Sequence, residues 1–175
     1  MSKTTGNVVD PIQVIKNSGL DAFRYYVTRE LDIGPDGNWT DAGFDARYQA
    51  ELANGLGNLV NRSLSMLNRY RKGIVPPRSE DLKGDAENCI KAVRNALTEY
   101  RLQEGLKNIW KLIDRTNQYV DQTSPFTLAK DPGQAERLGE ILFNLVEVCR
   151  ILGALVTPFI PETSLKIHRQ LNREK

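Results

Sequence analysis

Residues 41–70 read DAGFDARYQAELANGLGNLVNRSLSMLNRY, and the spacing of their apolar positions decides the fold. Phe44, Tyr48, Leu52, Leu56, Leu59, Val60, Leu64, Leu67 and Tyr70 recur mostly at threes and fours, the period of a helix with one apolar stripe. Thr40 or Asp41 is the expected N-cap, and Gly73 with Pro76-Pro77 stops the helix. Downstream the same period predicts a helix over 85–100 and another over 103–123 on Leu106, Ile109, Ile113 and Val120. A further one is expected over 134–156 on Leu138, Ile141, Leu142, Leu145, Val148, Cys149 and Leu152. Ser124-Pro125 ends the second of these, because the residue before proline avoids helical angles. Pro158 breaks the third, and Pro161 suits the first turn of a last helix to about residue 171. Such helices on short loops make an all-α, antiparallel bundle over 41–175. Residues 1–40 are read as a linker broken by Gly6, Pro11, Gly19 and Gly34-Pro35-Asp36-Gly37, with one helix over 20–31 and local strand pairing possible only at Leu31 to Ile33.

Composition bounds what such a bundle does. At 175 residues, 40% hydrophobic and 26% charged, the chain suits one sizeable domain or one with a small appendage. No apolar run is long enough to span a membrane, and the N-terminal residues lack the basic-then-apolar pattern of a secretory signal. Cys89 and Cys149 fall within amphipathic patterns and are expected as buried free thiols, and the lone histidine, His168, argues against a zinc site built from this chain. A net charge of +2 does not announce a nucleic-acid binder; the placement of the charges has to.

Two places leave a choice open. Asn54, Asn58, Arg62, Ser65 and Arg69 share one arc of the helix, away from the leucines. They are either a solvated face or, at Asn58 and Arg62, an amide beside a guanidinium, both able to donate to the edge of an unstacked base. Phe126, after Ser124-Pro125, is either a core plug or a stacking platform. The opening MSKTTGN, with Lys3 among small polar residues, has the look of a phosphate-binding loop with no pocket around it.

That opening resembles the KMSKS signature loop of class I aminoacyl-tRNA synthetases, in the form Met1-Ser2-Lys3-Thr4-Thr5-Gly6-Asn7 without the leading lysine. Asp21-Ala22-Phe23-Arg24-Tyr25-Tyr26, Asp36-Gly37-Asn38-Trp39-Thr40, Leu52 to Arg62, Asn117-Gln118-Tyr119, Ser124-Pro125-Phe126 and Ala129-Lys130 follow. In order and spacing they are similar to the C-terminal region of methionyl-tRNA synthetases. The leucine, valine, isoleucine and cysteine enzymes share the loop and a bundle, but the Arg24-Tyr25-Tyr26 segment and the Asn58/Arg62 pair argue against them. The rival outside enzymology is a helical protein-interaction module, which would show an apolar groove in place of an Asn/Arg/aromatic cluster.

The resemblance implies a fragment of a cytoplasmic methionine–tRNA ligase, beginning inside the catalytic loop and followed by the anticodon-binding bundle. ATP with Mg²⁺, the adenylate-forming catalytic domain and a zinc-bearing insertion would belong to the parent, upstream. Ser2, Lys3 and Thr4 correspond to the ATP loop, and Lys3 to the lysine that offsets charge on the leaving pyrophosphate. Asn58 and Arg62 would contact the first anticodon base of tRNA(Met), and Phe126, after Pro125, would stack on splayed bases. The family usually has tryptophan there, and phenylalanine keeps the stacking face with less area and no N–H. Asn117 and Tyr119 match an Asn-x-Tyr pattern, either structural or supporting the site. Trp39, at the linker turn, and Trp110, inside the helix over 103–123 as core or flank, are not placed to replace the missing tryptophan. Asn58, Arg62 and Phe126 are therefore expected together at one end of the bundle with Arg62 substantially exposed, and residues 1–7 are expected to be mobile. No adenylate formation is expected from this chain alone: methionine-dependent pyrophosphate exchange should stay at background, and turnover above it would overturn the fragment reading.

Overall fold

The computed structural model describes residues 9–30 and 39–171. The expectations for Ser2, Lys3 and Thr4, for the mobility of residues 1–7 and for Leu31 to Ile33 fall outside them. Helix α1 is Pro11–Ser18 and α2 is Leu20–Glu30. The first was hidden among the breakers, although its start is well marked: Pro11 opens the turn, and the Ile12 N–H donates to Asp10 Oδ1 at 2.9 Å.

The long stripe becomes a rod in three parts: α3 (Asp41–Arg47), a wide π-helical stretch (Tyr48–Gly57) and α4 (Asn58–Arg71). Thr40 Oγ1 caps its start, accepting from the Gly43 N–H at 3.1 Å. In the wide stretch the N–H groups reach one residue further back, as the Asn58 N–H does to the Ala53 carbonyl. Each turn then holds more than the roughly 3.6 residues of an α-helix, so the apolar face shifts around the axis. Phe44 faces a small aromatic cluster, 5.2 Å from Trp39 and 5.4 Å from Tyr26, whereas Leu56, Leu59 and Val60 face the main core. Leu52 packs against both. Tyr48, expected in the stripe, lies at the crossover and is 38% exposed. A straight-helix period could not show that turn.

The remaining elements fall within two residues of the expected bounds: α5 (Lys83–Thr98), α6 (Leu102–Thr123), α8 (Ala135–Leu155) and α9 (Pro161–Gln170). A short α7 (Pro125–Leu128) and a 3₁₀ turn (Pro132–Gln134) connect α6 to α8. No strand occurs among the described residues. Leu106, Ile109 and Ile113 of α6 and Ile141, Leu142, Leu145 and Leu152 of α8 are fully buried, each worth about 1.5–3 kcal/mol in apolar surface removed from water. Both cysteines are buried free thiols, and burial pushes Cys89 up to about 11 and Cys149 up to about 12.

Helix α2 is stapled to the bundle by polar and aromatic contacts. Tyr25 packs on Trp110, ring centroids 4.5 Å apart, and its hydroxyl donates to Glu51 in the wide stretch. The same carboxylate takes Arg29 at 3.1 Å and Arg47 at 2.9 Å. Burial, then the Glu51 carboxylate, drives the Tyr25 phenol well above its ordinary range. At the other end of α2, Asp21 accepts the Thr163 N–H at 2.6 Å, capping α9. Arg24 donates to the carbonyls of Phe159 and Pro158 at 2.8 and 2.7 Å. Tyr25→Ala, which empties the space against Trp110, is expected to cost about 3–5 kcal/mol. Tyr25→Phe, which loses only the hydrogen bond, should cost about 1 kcal/mol. Urea denaturation of the two variants measures the difference, and equal costs would show that the ring contact contributes nothing.

Candidate nucleic-acid interface

Helix α4 crosses α6 near the end where α6 finishes, and Arg62 lies in the seam. Its Nη2 donates to Asn117 Oδ1 at 2.7 Å and to the Asn117 carbonyl at 3.3 Å, while Nη1 approaches Asp121 Oδ1 at 3.5 Å. The side chain is 21% exposed, against 74% for Asp121, and Nε is buried without a partner. The expectation of a substantially exposed Arg62 is therefore corrected: close packing of the two helices leaves only the tip of the guanidinium open. A single long contact to an exposed carboxylate is worth at most about 1 kcal/mol, so Asn117 is the firmer of the two holds. Asn58, one turn before Arg62, is exposed, and so are Ser65 and Arg69 further along the same arc.

The corner after α6 is built by backbone. Ser124 ends the helix in the left-handed region at φ 45°, its N–H donating to the Val120 carbonyl at 3.0 Å and its Oγ to the Asp121 carbonyl at 3.0 Å. Pro125 then starts α7 and is itself buried. Phe126, next along, is 49% exposed. The residue that plugs the corner is thus the proline, and the aromatic ring is left with an open face. Asp121 links the two halves, since it meets Arg62 through its carboxylate and Ser124 through its carbonyl. Neither tryptophan takes part: Trp39 lies in the small aromatic cluster and Trp110 beneath Tyr25.

Asn117 holds Arg62 through its side-chain and backbone oxygens. Tyr119 is structural. It is buried, and its hydroxyl donates to Asp81 Oδ2 at 2.7 Å, where Arg137 also arrives at 2.8 Å. This ties the loop between α4 and α5 to α6 and α8. The hydrogen bond from Tyr119 is the main cause holding the Asp81 carboxyl below its usual range. The phenol in turn is pushed above its own, by burial and by Asp81. Exposed basic residues near this end, Arg69, Lys72, Arg78 and Lys130, are matched in number by exposed Glu80, Asp81, Asp121 and Asp131.

Two family models match. "tRNA synthetases class I (M)" matches residues 1–64, and "Anticodon binding domain of methionyl tRNA ligase" matches residues 71–175. The methionine–tRNA ligase of Bacillus subtilis is 42% identical over 178 residues, covering 98% of this chain and 27% of the relative. That of Clostridium tetani is 41% identical, with 98% and 28% covered. The chain thus spans about a quarter of the length of these curated relatives. Among solved structures, Mycobacterium tuberculosis methionyl-tRNA synthetase in complex with methionyl-adenylate superposes with a TM-score of 0.90 at 34% identity, over 95% of this chain and 34% of that one. Its apo form gives 0.87 at 32% identity, over 93% and 34%.

Because the folded state lowers the Asp81 pKa, the contact stabilises above the unfolded carboxylate value of roughly 3.9 and is lost as pH falls through the folded value. Tyr119→Phe is accordingly expected to cost about 1 kcal/mol at neutral pH. The cost should shrink as the pH is taken below about 4. Thermal unfolding of the two proteins across that range checks it, and a difference independent of pH would place the effect of the hydroxyl elsewhere.

Proposed function

The chain belongs to the methionyl-tRNA ligase family, and we propose on that footing that it reads the CAU anticodon of tRNA(Met) through Asn58, Arg62 and Phe126. The whole ligase would join methionine to the α-phosphate of ATP with release of pyrophosphate, with Mg²⁺ present, and then pass the methionyl group to the tRNA with release of AMP, in the cytoplasm. Ser2, Lys3 and Thr4 would serve the ATP step. That step lies outside the described residues, so the proposal for this chain concerns recognition only.

The observation that carries the reading is the joining of Arg62, through Asp121, to a corner whose proline is buried and whose phenylalanine is exposed. Recognition of an unpaired base needs a face to stack on and donors for its edge. The open ring of Phe126 supplies the face, with stacking worth about 1–3 kcal/mol per base. Asn58 and the open tip of Arg62 supply the donors for cytosine O2 and N3, or for its neighbour. Asn117 holds the guanidinium on its inner side with a neutral amide, which fixes direction without neutralising charge. A net charge of only +2 supports a binding mode in which base contacts outweigh phosphate contacts.

The chain is expected to bind a CAU stem-loop weakly and to prefer it over a loop altered at the first anticodon base. Arg62→Ala should lower binding to the CAU loop and flatten that preference by about 1–3 kcal/mol. Phe126→Ala should weaken both loops alike, and Lys91→Ala, at an exposed position on α5, should leave the preference intact. Titrations at fixed salt measure all four proteins. Equal affinity of the unsubstituted chain for both loops would remove the anticodon reading, and an Arg62→Ala chain that still discriminates would remove Arg62 from it.

A further inference from the structure

We propose that the wide stretch Tyr48–Gly57 is a positioning device for the base-reading pair, with Gly57 the residue it requires. The inference rests on the reading that Asn58 and Arg62 contact bases, and it concerns what points them. Asn58 is the first residue of α4, yet its own N–H still makes the long-reaching bond to the Ala53 carbonyl. The wide turn therefore fixes the orientation at which Asn58 leaves the rod, and Arg62 follows one α-turn later.

Both ends of the rod are anchored independently. On one side, Phe44 is locked among Tyr26 and Trp39. On the other, Leu56, Leu59, Val60 and Met66 are locked in the main core. An α-helix running straight between these anchors would present a different face after Phe44, and each residue of slip turns a side chain by about 100° around the axis. At that error the Arg62 guanidinium would leave Asn117, whose Oδ1 it now meets at 2.7 Å. The wide stretch absorbs the mismatch just before the two side chains that read.

Of the two glycines in the stretch, Gly57 is the tighter. A Cβ built on it would stand 3.1 Å from the Leu52 carbonyl oxygen, a backbone atom that no side-chain rotation can move. At Gly55 the corresponding contacts begin at 3.5 Å, and at Gly84 in α5 nothing lies within 4 Å. A side chain at Gly57 requires the Leu52 carbonyl to give by a few tenths of an ångström, and because Asn58 hangs from the same last wide turn, that adjustment is passed to Asn58 and, through it, to Arg62. Gly57 touches no base; it acts through the pair, as a positioning residue.

The experiment compares Gly57→Ala, Gly57→Val and the control Gly84→Ala with the unsubstituted chain and Arg62→Ala. Each is titrated with the CAU stem-loop and with the loop altered at its first anticodon base, alongside thermal unfolding. The expected result is a loss of the CAU preference by at least about fivefold in Gly57→Val, the low end of what a two-donor base contact is worth. Gly57→Ala should lose less in the same direction, and Gly84→Ala nothing. A purely structural glycine would lower the melting temperature and leave the ratio of the two affinities unchanged in the folded protein, and that outcome overturns the proposal while the anticodon reading stands. If Gly57→Val does not fold, Gly57→Ala decides: a lost ratio supports the proposal and a retained one overturns it. An unsubstituted chain that binds both loops equally overturns the anticodon reading, and this inference with it.

Discussion

The burial of one helix carries this structure. Helix α6 has Leu106, Ile109 and Ile113 wholly removed from water and Trp110, Leu112 and Val120 nearly so, and α2, the wide stretch, α4, α5 and α8 all pack against it. Two polar assemblies sit toward opposite ends of that buried stripe. Near its start, Trp110 and Gln103 receive α2, through the Tyr25 ring and the Arg29 carbonyl. Near its finish, Asn117 and Asp121 receive Arg62 and the corner of Pro125 and Phe126. Because the interior of a bundle is close-packed, the separation of the two ends is fixed by the helix itself and not by the loops.

Most of this fold was legible because strong apolar periods and proline stops agree with each other. The bounds of α6 and α9 follow from Ser124-Pro125 and Pro161, where the backbone has little freedom. Three things were not legible, each for a physical reason. Helix α1 is eight residues, about two turns, too short for a repeated apolar period to stand out, and only Asp10 and Pro11 signal its start. The wide stretch has no template in a 3.6-residue period; its trace in the sequence is the clustering of small residues at Ala50, Ala53, Gly55 and Gly57, which a helix would otherwise disfavour by about 1 kcal/mol per glycine. The burial of Arg62 depends on a partner far along the chain at Asn117, and an exposure read from one helix's own arc cannot include it.

The candidate site was legible in its members and not in its arrangement. Spacing placed Asn58 and Arg62 side by side, and that holds because both lie in the regular part of the rod. Spacing could not choose between a plug and a platform at Phe126. The structure excludes the core plug, because Ser124 in the left-handed region is followed by a buried Pro125 and a half-exposed Phe126.

The hold on Arg62 also suits the base-contacting role proposed for it. A guanidinium bound by a buried carboxylate would leave that carboxylate unpaired in the interior whenever the arginine turned to a base, at a cost of several kcal/mol. Here the firm partner is a neutral amide, whose oxygen carries no net charge to be stranded, and the charged partner is three-quarters exposed. Nη2 is engaged inward while Nη1 makes only a contact of 3.5 Å. The arginine can therefore keep its inner bonds and exchange its outer one, so that binding a base costs little more than releasing Asp121 to water. Weak pairing at the rim and firm pairing at the root make the side chain both directed and available.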